Sequence, residues 1–187
     1  MMLFVVYMLL YIAVLGSSLR PSSLKPHRGS TATSAALTDE NDAVAMAVRT
    51  VNRCAIDCSA APEEVLQALD ILRAERPRPP SRDSFGGTWE LVWNDKIAKV
   101  PLINGYMPNR ETLVWDLEEG VLELDVETLP LLPEIKIRGE NLTYDEGILT
   151  YTVGDKAPST WDVFHADGDV VCAVSSATGV NIIRRIG

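Results

Sequence analysis

Histidine is scarce in this chain, with two among 187 residues. Only His165 lies beyond the first forty positions, so imidazole acid–base chemistry has one candidate residue. A hydrolase needs a nucleophile, a base and a group that orients the base. Ser175 and Ser176 lie near His165 in sequence and Asp167 and Asp169 lie beside it, but no G-x-S-x-G elbow is present. His165 therefore reads as a strand-end surface residue, and a site centred on it is the alternative. Cysteine is scarce too: three residues without paired spacing exclude a disulfide scaffold. Cys54 and Cys58 are four apart and would meet on one helical face. Zinc would want two further ligands, and a thioredoxin-type motif needs C-x-x-C, so ordinary buried or half-buried thiols are expected, with a redox-sensing pair as the alternative. No phosphate-cradling or dinucleotide glycine motif occurs, and the acidic residues lack calcium-loop spacing. No metal or catalytic cofactor is expected.

Acidic residues are missing altogether before Asp39, where Arg20, Lys25 and Arg28 supply the only side-chain charges besides His27. All 26 Asp and Glu thus fall in the rest of the chain, against a formal net charge of −9 overall. A body this acidic is poorly suited to nucleic acid, whose affinity comes from neutralised phosphates. Hydrophobic residues make up 47%, enough for a packed core.

The N-terminal region reads as an address. Met1 to Leu15 is an unbroken apolar run that ends at Gly16-Ser17-Ser18. A membrane-spanning helix needs about 20 apolar residues. The run suits a signal peptide over residues 1–18, with small residues at the cleavage site; a retained anchor is the alternative. Residues 19–38 are rich in Ser, Thr, Arg and Pro, the composition of a transit peptide. A signal followed by such a stretch resembles the bipartite presequence of algae whose plastids sit inside the endomembrane system; a disordered secreted linker is the other reading. Cysteine apart, Asn141-Leu142-Thr143 forms a glycosylation sequon that such a route would expose.

Residues 39–80 read as a helical pair and a Pro-rich linker. Asp39, Glu40 and Asp42 suit a helix N-terminus, and Val44, Val48, Val51 and Ala55 follow at helical spacing. Pro62-Glu63-Glu64 opens a second helix with Val65, Leu66, Leu69 and Leu72 as its apolar stripe, which Pro77-Arg78-Pro79-Pro80 stops. From Phe85 the period changes to two. Expected strands are Gly87–Asn94, Glu111–Leu117, Val121–Thr128, Glu134–Glu140, Asn141–Tyr144 turning into Gly147–Val153, Thr160–His165, Asp169–Val174 and Val180–Arg185. Leu122, Leu124 and Val126 share one face, as do Ile135 and Ile137, with charged residues opposite. One polar face per strand suits a single sheet curled around an apolar interior. Residues 85–187 are therefore expected to form an up-and-down antiparallel barrel of about eight strands, preceded by two short helices.

The barrel opens with Gly87-Thr88-Trp89-Glu90-Leu91-Val92-Trp93, a G-x-W start such as lipocalin-like barrels show. It ends with Val171-Cys172-Ala173-Val174-Ser175-Ser176-Ala177-Thr178-Gly179-Val180-Asn181-Ile182-Ile183-Arg184-Arg185. With the helical pair in front, this resembles the plastid lipid-associated protein family, also called fibrillins, over about residues 40–187. Family members commonly carry a Tyr-Thr-type continuation after the opening Trp, where this chain has Val92-Trp93-Asn94. The resemblance implies a non-enzymatic lipocalin-like protein peripheral to thylakoids or plastoglobules. It further implies binding of lipid, prenylquinone or carotenoid. In such barrels a basic residue near the last strand packs over the opening Trp, which assigns Arg184 or Arg185 to Trp89, with Gly87 allowing close approach of the chain.

Trp89, Trp93, Trp115 and Trp161 all fall on expected strands, where they fill core or line a cavity. Lys96–Pro108 is long for a hairpin, lacks acids and carries Leu102, Ile103 and Tyr106; Leu129–Pro133 adds Leu131 and Leu132. Apolar loops must bury themselves in a barrel mouth, a lipid surface, a partner or the helical pair. Three functions follow: binding apolar ligands or lipid surfaces, docking to a thylakoid membrane protein complex as linker or assembly factor, or an enzyme built on His165.

Overall fold

A computed structural model describes residues 34–75, 81–82, 85–100, 103–127 and 134–187. The apolar run, most of the transit-like stretch, the Pro-rich linker, and Leu102, Leu131 and Leu132 lie outside these residues. Helix α1 runs Ser34–Asp57 and α2 runs Pro62–Glu75. The α1 helix starts five residues before Asp39, because Ala35, Ala36 and Leu37 favour helix themselves. In α2, Glu63 and Glu64 occupy the first turn and Arg73 the last, which complements the helix dipole.

Eight strands follow: β1 Gly87–Asn94, β2 Tyr106–Asp116, β3 Val121–Val126, β4 Ile135–Asp145, β5 Ile148–Thr152, β6 Ser159–Asp167, β7 Val170–Ser175 and β8 Gly179–Arg185. Each pairs antiparallel with the next, and β8 pairs with β1, so the sheet closes into a barrel. Most strand boundaries fall within two residues of expectation, and two differ by more. The β2 strand begins at Tyr106, inside the segment read as a loop; Pro108 is tolerated because β3 meets β2 only from Glu111 onward. The β4 strand also runs unbroken through residues expected to end one strand and start another. A register shift between Glu140 and Thr143, with exposed Asn141 at φ +56°, absorbs the irregularity.

The barrel has two apolar cores. Inside it, Trp89, Leu113, Trp115, Leu122, Trp161 and Ile183 pack with their neighbours. Outside, α1 and α2 lie over β1, β6, β7 and β8 and bury a second cluster that includes Val51, Cys54, Leu69, Phe164 and Ile182. This explains β7, whose Val170-Val171-Cys172-Ala173 run is buried on both faces. Cys172 is core, on the outer face beneath the helices. The opposite side of the barrel alternates: Glu123 pairs Arg138 at 2.7 Å and Asp125 approaches Lys136 at 3.7 Å on the solvent face. Exposed pairs of this kind contribute about 0.2–1 kcal/mol.

Candidate functional site

The two ends of the barrel differ. At the end where β1 starts and β8 finishes, Phe85 is fully buried and stacks against Trp115 and Tyr144, with ring centroids 5.7 and 5.0 Å apart. The Trp89 indole donates to the Phe85 carbonyl at 2.9 Å, and the Arg185 guanidinium lies 4.2 Å from the Trp89 ring. Arg185 also donates to the Gly86 carbonyl at 2.7 Å. Gly87, at φ +118°, admits this arginine: a Cβ there would stand 2.8 Å from Arg185 Nη1. Of the two candidates, Arg185 therefore covers Trp89. Arg184 faces outward, pairs with Glu90 at 2.7 Å and donates to the Ala55 carbonyl of α1 at 3.2 Å, fastening helix to barrel. A shallow cleft of about 540 Å³ beside this end is lined by Gly86, Gly87, Trp115 and Asp116, and Arg82 at its edge donates to the Leu117 carbonyl. This end is closed.

At the other end, β1 finishes and β2 starts, and β3 finishes and β4 starts. The strand ends flanking both apolar loop segments thus share one end. Pairing fixes which side chains face inward there. Leu124 pairs with Ile137 and Val126 with Ile135, on the face that carries buried Leu122. Tyr151 pairs with Ser159, one inward step above the buried Leu149 and Trp161. Leu124, Ile135, Ile137, Tyr151 and Ser159 face inward yet are only half-buried. This contiguous wall on β3 to β6 is the open half of the barrel. Trp161 beneath it meets Trp115 edge-on at 5.7 Å and forms a floor.

The facing wall is closed by polar groups that satisfy each other. Asn94 Nδ2 donates to Asn181 Oδ1 at 2.7 Å and to the Thr178 carbonyl at 2.9 Å, and Ser175 Oγ accepts from the Ala177 and Thr178 amides. Asp95 Oδ1 accepts from the Val180 amide at 2.9 Å, and burial raises its pKa above the ordinary 3.8. Glu111, 2% exposed, pairs with Leu91 and Val126 and so brings a carboxyl group to the interior. In the sequence its only signal is its place among positions 111, 113 and 115, which share one face of a strand. Another donor is unusual. The indole N–H of Trp115 is buried without a hydrogen bond, and that of Trp161 adjoins the Tyr151 side chain. A buried group left unmet costs about 1–3 kcal/mol.

Several expected site residues lie elsewhere. Trp93 does not face the interior. A register shift between Leu91 and Trp93 inverts the alternation, so the ring packs outward beneath the helices and donates to the Asn104 carbonyl at 3.1 Å. Tyr106 is not a rim residue either: it belongs to the same outer cluster, its hydroxyl donating to the Ala60 carbonyl at 2.9 Å. Ile103 is half-buried in the β1–β2 turn. Trp89 and Trp115 both pack at the closed end with Phe85, which leaves Trp161 as the tryptophan adjoining the open half.

His165 is a further correction, since it is 6% exposed rather than on the surface. Phe164 is the extra residue where β6 shifts register against β7, and His165 pairs with outward Cys172 under the helical layer. Ser175 is on the opposite, inward face, so the two do not form a dyad. Burial lowers the His165 pKa below the ordinary 6.5, with the Asp167 charge opposing. The neutral ring is the packed form, and unfolding lets it take up a proton below pH 6.5. Its stabilising contribution is complete above that pH and is lost as pH falls toward the lowered native value. The urea midpoint is expected to drop between about pH 7.5 and about pH 5.5, and to drop less in His165→Gln. An unchanged slope in that variant would assign the dependence to other groups.

Burial holds the Cys54 and Cys172 thiols in the protonated form. Cys54 is fully buried and desolvation pushes it up to about 12, with its side-chain hydrogen bond to Tyr106 opposing. Cys58 lies one residue past the end of α1 in a left-handed conformation, exposed, so the two do not share a helical face. Among the described residues, no cluster of three or more His, Cys, Asp or Glu could hold a metal ion. Comparison with protein-family profiles and with curated proteins gives no match for this chain.

Proposed function

We propose that this chain is a non-enzymatic plastid lipid-associated protein of the fibrillin type, which holds a small apolar molecule in the open half of its barrel. One observation carries the reading: Leu124, Ile135, Ile137 and Tyr151 face the interior but stay half-buried above a tryptophan floor. An apolar inward surface that its own core does not cover is the kind of surface a hydrophobic ligand buries. The apolar segments between β1 and β2 and between β3 and β4 support it, since the strand ends they join lie at that same end. Binding sites in barrels of about eight strands also lie at the mouth. The signal-plus-transit composition of residues 1–38 supports delivery to a plastid, where the protein would sit at the thylakoid or plastoglobule surface.

The test is to incubate the purified protein with a plastid lipid extract, re-isolate it, and identify what remains bound by mass spectrometry. One apolar molecule per chain is the expected result. Ile137→Glu should abolish retention while the folded baseline by circular dichroism is kept, because the residue is half-exposed and a carboxylate at the mouth can reach water. Recovery of an empty protein overturns carriage and directs the search to a membrane-complex partner.

A further inference from the structure

We propose that Asn141 is a site of N-linked glycosylation, modified while the chain passes through the endoplasmic reticulum. The inference rests on the secretory reading of residues 1–18 and is independent of what the barrel holds.

Among the asparagines of the chain, Asn141 alone is followed two positions on by Ser or Thr, and Leu142 between them is not Pro. Transfer joins Asn141 Nδ2 to the anomeric carbon of a lipid-linked oligosaccharide diphosphate. The new C–N bond forms as the bond from that carbon to the diphosphate oxygen breaks. The lipid diphosphate leaves with the electron pair, and Nδ2 loses one proton.

The fold leaves room for the product. The register shift between Glu140 and Thr143 sets Asn141 and Leu142 opposite the single residue Tyr151. Leu142 turns into the interior at 4% exposure, while Asn141 and Thr143 both face solvent. Asn141 stands at φ +56°, a left-handed conformation that asparagine tolerates better than most residues. Its Nδ2 donates to Thr152 Oγ1 at 3.0 Å. An amide nitrogen carries two hydrogens, and the sugar replaces one, so the bond that aims the side chain survives modification. The helical layer lies over β1, β6, β7 and β8, across the barrel from this point on β4. Asn141 is also four residues past Ile137, about 13 Å along the strand away from the mouth, so a glycan there leaves the open half accessible. An asparagine kept only for the bulge would have no use for the hydroxyl of Thr143.

The experiment translates the full chain in vitro with endoplasmic-reticulum microsomes and reads its mobility on a gel. The expected result is a slower band, shielded from added protease, that peptide N-glycosidase returns to the unmodified position. That enzyme converts the linked asparagine to aspartate, and mass spectrometry of the native chain should find the change at Asn141. Asn141→Gln and Thr143→Ala should each abolish the slower band, and Thr143→Ser should keep it. Transfer is read on the translocated chain, so these outcomes hold even where a variant folds poorly. A shielded chain without the slower band overturns the inference and leaves the secretory address standing. A slower band that survives Thr143→Ala overturns the assignment to Asn141. A chain that the protease digests overturns both the inference and the address, and carriage by the barrel is untouched by any of these results.

Discussion

Gly105→Ala is expected to destabilise the protein by about 3 kcal/mol, a drop of about 10 °C in melting temperature for a chain of this size. Gly105 has φ +85°, where an L side chain is strained, and a Cβ there would lie 2.1 Å from Trp93 Nε1 and 2.5 Å from Cε2. Trp93 cannot give way freely. It is fully buried in the cluster that joins the helices to the barrel, and its N–H is held by the neighbouring Asn104 carbonyl. The Gly105 backbone is fixed as well, accepting from the Asn94 amide at 2.9 Å and donating to the Ile97 carbonyl at 3.2 Å. The molecule contains its own control. Gly154 also has positive φ, +55°, but no atom lies within 4 Å of the Cβ position. Gly154→Ala should therefore show only the backbone cost, about 1 kcal/mol. Paired thermal melts of the two variants separate strain from collision. If their midpoints fall equally, the close approach of Trp93 contributes nothing and the helical layer has another keystone. Trp93→Leu in the Gly105→Ala background should recover part of the loss, since neighbours that collide are not additive.

That collision also shows why part of the molecule was legible in the sequence and part was not. Strand β1 occupies the expected Gly87–Asn94, and Leu122, Leu124 and Val126 face one way, because alternation follows directly from a pleated strand with one wet side. The alternation fails at Trp93 because one register shift inverts parity, and the Val92-Trp93-Asn94 string carries no mark of it. His165 reads as exposed from its charged neighbours Asp167 and Asp169. Its burial depends on helices far earlier in the chain, at Ser34–Asp57 and Pro62–Glu75, folding over β6 and β7. The continuous apolar run at β7 held that information, since a strand apolar on both faces must be covered on both. The candidate site was half legible. The apolar segments and the tryptophans were visible, but which end of the barrel is open depends on Phe85 filling the other, a contact between residues far apart in the chain.

Trp89→Ala is expected to cost about 4 kcal/mol, in the range for deleting a buried tryptophan. The side chain is fully buried, stacks 5.8 Å from Trp115, donates to Phe85 and lies beneath Arg185. Losing it leaves the Phe85 carbonyl without that donor and uncovers the end where the terminal backbone is tied, Ile186 amide to Thr88 carbonyl at 2.9 Å. The arginine can be separated from the ring. Arg185→Met keeps much of the packing and removes the charge, and a double-mutant cycle with Trp89→Leu, read by urea denaturation, should give a coupling of about 0.5–2 kcal/mol. A coupling of zero would take the Trp89 ring out of the account of Arg185 and leave its hydrogen bond to Gly86 and its approach to Asp169. The closed end and the open half lie at opposite ends of the interior, so these changes should act on stability alone. In Arg185→Met, measured well below its melting point, the retained apolar molecule and its stoichiometry should match those of the native chain. Ile137→Glu should show the reverse pattern, with binding lost and the fold kept. If Arg185→Met instead loses its ligand at full folding, the aromatic plug belongs to the binding site, and the division between a stabilising end and a binding end fails.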